Sequence, residues 1–356
     1  MIKLKRNVRV FAYTTVVISL FWLIHFPKMA ASAIQQALSL CAGTLIPALF
    51  PYLVLSSFFV SSGCADSVSR HFGWIAKPFG LSDHCASAIV MGSISGYPAG
   101  AKTICELYNA GRIEKYEAES LLRFACNAGP AFFFGVVGGT LYHPAVGCSL
   151  FCIHLAAAFL CGLLQGGRTE KPATTKETRP HSAVPVTTAL VQSVSNAGTT
   201  MLKICAFVLG FSLLLRVEQG ILDKWPIFYS ITAGISELSA GIIQLASTPI
   251  DWHIKYSLSA FFLGFGGLCV AAQTAALLQE SGLPVRQYVK GKLLHGLISA
   301  VMAFPISFFL EPVRESAAIT CPFEPISPWP WTLLPFGLIF LIFMQFPSRI
   351  FQHHDL

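Results

Sequence analysis

GSISGYPAGAK, residues 92–102, sets three glycines and a proline in the middle of an apolar run, and its reading decides the fold. In a soluble protein such a stretch is a loop. Here it sits inside residues 86–110, otherwise apolar, and further apolar runs lie near 10–26, 40–62, 124–141, 144–165, 199–217, 227–247, 256–279, 294–312 and 331–347. A helix needs about 20 predominantly apolar residues to cross a bilayer core. Gly and Pro are tolerated at that depth, but non-helical backbone there must line a cavity or lie within protein. The segment therefore reads as a broken helix or hairpin within a membrane.

Composition gives the same answer. Of 356 residues, 54% are apolar and 12% charged, with mean hydropathy +0.63 and net charge +7. A water-soluble domain carries about 25% charged residues, and a disordered chain carries fewer apolar ones. The expected fold class is an all-α polytopic membrane protein. Lys3, Lys5, Arg6 and Arg9 precede the first run and Ala31-Ser32-Ala33 follows it, the outline of a signal peptide. The length of that run and the many later ones favour an uncleaved first membrane helix. The eleven Cys are odd in number and lack CxxC spacing, so they read as small hydrophobes.

Charge decides between full spans and hairpins. If 86–110 and 227–247 each enter and leave on one side, 18 of the 24 Lys and Arg share a face with both termini. The positive-inside rule makes that face cytoplasmic. The expectation is eight full spans and two re-entrant hairpins. It divides the chain into an N-terminal membrane helix (1–33), a first membrane half (34–165), a polar, Thr- and Pro-rich cytoplasmic linker (166–186), a second half (187–312) and a C-terminal loop with a final membrane helix (313–356).

The halves resemble one another. SISGYPAG (93–100) aligns with GISELSAG (234–241), sharing Ile, Ser, Ala and Gly at a constant offset. About thirty residues later each half has a second interruption, CNAGPAFFFGVVGG (126–139) and LGFGGLCVAAQ (263–273). With the hairpins opening from opposite sides, this is the layout of an inverted repeat, and paired Gly/Pro-interrupted segments point to a transporter's binding site. Broken helices expose N–H groups for an anion and carbonyls for a cation.

The substrate-binding candidates follow from the breaks: Ser93, Ser95, Gly96, Tyr97, Pro98, Gly100, Lys102, Asn127, Gly129, Pro130, Ser236, Gly266, Gly267 and Gln273. Glu237, ionisable in an apolar setting, is a candidate for coupling to H+ or Na+, or else caps a half-helix. Asn127 offers an amide to substrate or coupling ion, or an interhelical hydrogen bond. Lys102 holds a substrate carboxylate or snorkels to the cytoplasmic surface, with snorkelling expected. Arg112–Arg123 alternates in sign and reads as a solvated or interfacial helix with pairs Lys115/Glu119 and Glu119/Arg123. No phosphate loop, HExxH or GxSxG occurs. Neither an enzyme, a metal or cofactor, nor nucleic-acid binding is expected; the partners are the lipid bilayer and a small substrate.

GYPAGAK (96–102), CNAGPAFFFG (126–135), GISELSAG and GFGG with Gln273, in this order and spacing, resemble the YlbJ-type sporulation integral membrane proteins, which carry the nucleoside-recognition or Gate domain. The similarity runs from LIPALFP (45–51) through HGLIS (295–299). It implies a permease in the cell membrane of a sporulating bacterium, moving dipicolinic acid from the mother cell across the outer forespore membrane. Nucleoside transport and a non-transporting scaffold role are the alternatives. On the dipicolinate reading, Lys102 and the half-helix N-termini face the carboxylates while Tyr97 and Phe132 to Phe134 stack on the ring. CNAG stands where the family more often has CNNSG or CNTSG, and no Thr or Asn follows Glu237.

Overall fold

The computed structural model describes residues 13, 17, 21–130, 132–165, 185–222 and 224–317, and helices are the regular structure found among them. Most of the first apolar run, nearly all of the 166–186 linker and the final run at 331–347 lie outside the described residues.

Helix α1 (Pro27–Leu40) passes through a π turn (Cys41–Leu45) into α2 (Ile46–Ser61). The wide turn precedes Pro47, which has no N–H to close an ordinary one. The expected boundary at residue 33 therefore falls inside a helix. At Gly63, with φ +81°, the chain turns through 84° into α3 (Cys64–Phe72). Beyond α3 come α4 (Cys85–Ile94), α5 (Ala99–Asn109), α6 (Lys115–Phe124), a π segment (Phe132–Leu141) and α7 (Pro144–Gln165). The second half holds α8 (Val186–Leu222), α9 (Pro226–Ser236), α10 (Leu238–Ser247), α11 (Trp252–Phe265), α12 (Gly267–Glu280) and α13 (Val285–Ala317). Helix α13 runs past the boundary expected at 312, and α8 begins well before the apolar run at 199.

Four described stretches are long and apolar enough to cross a membrane: Pro144–Gln165, Val186–Leu222, Trp252–Glu280 and Val285–Glu311. The bent pair α2–α3 raises the count to five. Eight full spans are not found among the described residues, because glycine and proline breaks cut several expected spans into shorter helices. The stretch Trp252–Glu280 is the most enclosed, whereas α8 and α13 bury little and turn Leu202, Val301 and Phe309, each at least 74% exposed, outward. That exposure fits a lipid solvent. The ten described cysteines are all free.

The two segments expected to form hairpins are each a folded-back helix pair. A Cβ on Gly100 would stand 3.0 Å from the Gly92 Cα, and one on Gly241 only 2.0 Å from the Gly234 Cα. On a straight helix residues seven or eight apart are about 10–12 Å apart. Glycine at these positions is what lets the two arms of each hairpin touch.

Helix α6 corrects the reading of a solvated or interfacial connector. It packs against α7 and α13, and it buries Glu117, Leu121, Leu122 and Phe124. Glu117 closes a capping box with Glu114 and accepts from the Ser82 N–H at 2.9 Å. Neither expected charge pair forms among the described residues. Arg123 instead donates to the Gln165 carbonyl at 2.8 Å, and Glu119 accepts from Gln287 at 3.4 Å.

Candidate functional site

Four interruptions converge. In the first half, α4 ends at Ile94 with Ser95 as its C-cap, Gly96 takes φ +79°, the Tyr97–Pro98 peptide is cis, and α5 starts at Ala99. A Cβ on Gly96 would lie 2.9 Å from the Gly129 nitrogen, so this break sits directly on the non-helical backbone at 126–129. In the second half, Gly266 and Gly267 both have positive φ, and a Cβ on Gly267 would lie 3.1 Å from the Leu238 nitrogen, beside Glu237. Tyr97 joins the halves: its ring would meet a Cβ on Gly266 at 3.2 Å, and its hydroxyl reaches the carbonyls of Leu263 and Gly264. Gly96, Tyr97, Pro98, Gly129, Glu237, Gly266 and Gly267 thus come together at one place.

Glu237 divides α9 from α10 in extended backbone and is 8% exposed. Its carboxylate caps α10, Oε1 accepting from the Ser239 N–H at 3.1 Å and Oε2 from the Ala240 N–H at 2.7 Å. An anion at a half-helix N-terminus satisfies two otherwise orphaned donors and the helix dipole. The neighbouring Ser236 looks elsewhere, donating to Glu218 at 3.0 Å.

Asn127 and Ser93 line a cleft of about 190 Å³ together with the rings of Phe79, Phe124 and Phe159. Asn127 is 2% exposed, and its Oδ1 has no hydrogen-bond partner among the described residues; the same holds for buried Ser95 Oγ. Ser93 donates to the Ile89 carbonyl of its own helix at 2.8 Å. Orphaned buried polar atoms are rare and call for an explanation. The aromatic surface is not the one expected at Phe132 to Phe134. Phe133 packs instead on Phe151 and His154, and Phe134 on Phe151.

The remaining candidates have other neighbours. Lys102 does not snorkel. It is buried, donating to Thr200 at 3.2 Å and pairing with Glu106 at 3.9 Å, because α5 packs inside the bundle rather than at its edge. Gln273 donates to the Cys269 sulfur at 3.3 Å, and Gly100 serves the hairpin crossing. Pro130 begins the exit from the 126–129 break.

Sequence reasoning missed a cluster behind that break. Lys292, counted there as a cytoplasmic loop charge, is 1% exposed within α13. Its Nζ donates to the Cys126 carbonyl at 2.6 Å, lies 2.9 Å from His295 Nδ1 and stands 4.9 Å above the centre of the Tyr97 ring. His295 Nε2 meets the His154 carbonyl at 2.9 Å, and His154 Nε2 accepts from the Ala128 N–H at 3.1 Å. The available signal was a Lys and a His at i,i+3 inside a long apolar helix. No group of three or more His, Cys, Asp or Glu that could hold a metal occurs among the described residues.

Fold and site define the class: an all-α protein with helices of membrane-spanning length, two helical hairpins and four converging breaks. The chain is similar to the sporulation integral membrane protein YlbJ of Bacillus subtilis (strain 168), at 26% identity over 78% of each chain. The YlbJ-type resemblance carried by the motifs is thereby shown. No family model matches the chain, and no solved structure matches it.

Proposed function

We propose that this chain is a multi-pass permease of a sporulating cell, moving a small organic anion, with dipicolinate as substrate and the outer forespore membrane as its place. The observation that carries the reading is the convergence of both hairpin tips and both glycine breaks, joined by Tyr97. Alternating access would rock one hairpin-bearing half against the other about that point. The cleft between Ser93, Asn127 and three phenyl rings suits a small planar ligand with polar edges. The YlbJ relative supports a membrane role in sporulation. Coupling to H+ or Na+ belongs to the same reading, with Glu237 and Asn127 both standing at the breaks. The dicarboxylate needs no chemical change to be carried, and no enzymatic role is proposed.

Dipicolinate content of spores lacking the protein is the direct test, and a large loss is expected. Normal content would remove the reading in favour of a scaffold role. In proteoliposomes, uptake blocked by uridine or adenosine but not by unlabelled dipicolinate would move the substrate to nucleosides.

A further inference from the structure

Among the described residues two lysines are buried, and their surroundings differ in one respect. Lys102 has the Glu106 carboxylate beside it. Lys292, more deeply buried, has no carboxylate within ion-pair distance among the described residues, although it stands where the breaks converge. A buried ammonium without a counter-ion is costly, because the lost hydration is offset by nothing of opposite charge.

Hydrogen-bond bookkeeping narrows the arrangement. His295 Nε2 faces a carbonyl and must carry a proton, so Nδ1 is the acceptor for Lys292. Together with the Cys126 carbonyl this gives Lys292 two acceptors, enough for the two N–H bonds of a neutral amine. Among the described residues, the third N–H of an ammonium finds only the Tyr97 face. His154 Nε2 accepts a backbone N–H, which leaves its proton on Nδ1, a buried donor without an acceptor. The backbone at 126–129 is therefore tied at Cys126 by Lys292 and at Ala128 by His154. Between the ties, Asn127 keeps an unused Oδ1, and the residues on either side of Cys126 both line the cleft.

Resting on the permease reading above, we propose that Lys292 is the anion site, and that it binds a carboxylate of the substrate together with one proton. The carboxylate enters from the cleft beside Asn127 and replaces the Cys126 carbonyl as acceptor for Lys292. A proton supplied by the buffered solvent, whose buffer acid becomes its conjugate base, joins the amine's lone pair as the anion arrives, and no other covalent bond forms or breaks. The cluster is charge-balanced in two states, amine without anion and ammonium with carboxylate. By linkage, proton and anion then favour each other's binding, and they leave together.

Among the described residues, few titratable groups surround Lys292. They are His295 and Tyr288 on its own helix, Cys126 after α6, His154 and Cys161 on α7, and Tyr97 in the first break. Helix α12 brings Thr274 toward Tyr288, and His253 of α11 meets α13 only at its far end, at Ser307 and Glu311.

The test is calorimetric titration of dipicolinate into the full chain in lipid nanodiscs, in buffers of different ionisation enthalpy, to count protons taken up. About one proton per dipicolinate is expected for the wild type. Lys292→Arg, whose guanidinium stays charged, is expected to bind within about tenfold of wild type with no proton uptake. Lys292→Gln, which keeps an N–H for the Cys126 carbonyl, should lose at least tenfold in affinity. His295→Gln, which preserves an acceptor, should keep the one-proton stoichiometry and show that a disturbed cluster alone does not abolish it. Binding to the wild type without proton uptake, or unchanged uptake in Lys292→Arg, overturns the proposal and leaves the permease reading standing. Absence of any dipicolinate binding by the wild type defeats both.

Discussion

The Tyr97 hydroxyl lies 3.2 Å from the Leu263 carbonyl and 3.3 Å from that of Gly264, across 166 residues of chain. These carbonyls belong to the last turn of α11, just before the Gly266 break. The first half's break thus supplies a donor at the second half's break. In a membrane no water replaces such a donor.

Tyr97→Phe should therefore destabilise the protein by about 1–3 kcal/mol, the cost of leaving buried acceptors with reduced pairing. Its ring still fills the space against Gly266. Thermal unfolding in detergent should show the loss, and Tyr97→Leu should fall further because the ring contact goes too. A Tyr97→Phe protein as stable as wild type would mean that the two halves are not held together at this point.

The hairpin crossings give a second prediction. A Cβ on Gly241 would lie 2.0 Å from the Gly234 Cα, and one on Gly92 would lie 1.7 Å from the Ala125 carbonyl oxygen. Neither neighbour is a side chain that can swing away. Gly241→Val and Gly92→Val are each expected to abolish recovery of monodisperse protein. Gly43→Ala and Gly210→Ala, where a Cβ meets nothing within 4 Å, should be recovered normally.

The positions of all four breaks were legible in the sequence, because glycine and proline clusters inside apolar runs have few other uses. Their convergence was not, since it depends on Gly96 meeting Gly129 and Tyr97 meeting Gly266. Lys292 was hidden for a different reason. Counting positive charges treats every lysine near a helix end as a topology marker, and only the packing of α13 against α6 and α7 shows that this one faces inward. The phenyl rings at the cleft were equally unreadable, because Phe79, Phe124 and Phe159 come from three separate segments.

For Glu237 a pair of variants separates a capping role from a titrating one. Both carboxylate oxygens accept backbone N–H bonds at the start of α10. Glu237→Ala should cost about 1–2 kcal/mol through loss of the cap, whereas Glu237→Gln keeps one acceptor and should lose less. Dipicolinate uptake in proteoliposomes is expected to follow stability across this pair. Uptake abolished in a fully stable Glu237→Gln protein would place the coupling proton here rather than at Lys292.

Topology has its own test. The hairpin arrangement puts the 166–186 linker and the turn before α13 on one side of the membrane. Single cysteines at Glu170 and at exposed Arg286, introduced without the native cysteines, should react with an impermeant maleimide from the same side. Labelling from opposite sides would show that one hairpin crosses the bilayer.

Asn127 offers the sharpest separation of function from fold. Its Oδ1 is buried and makes no hydrogen bond, so the residue carries a desolvation cost without the usual return. Replacing an unsatisfied buried group by an apolar one of similar size is neutral or stabilising in such a setting. Asn127→Leu is therefore expected to match or exceed wild type in thermal stability. The same change removes the polar edge of the cleft, and dipicolinate affinity should drop about tenfold or more. Sites kept for function are often ones at which stability could be improved. A variant both less stable and normal in binding would show instead that the amide holds the 126–129 backbone in place, and the cleft would lose its claim to the substrate.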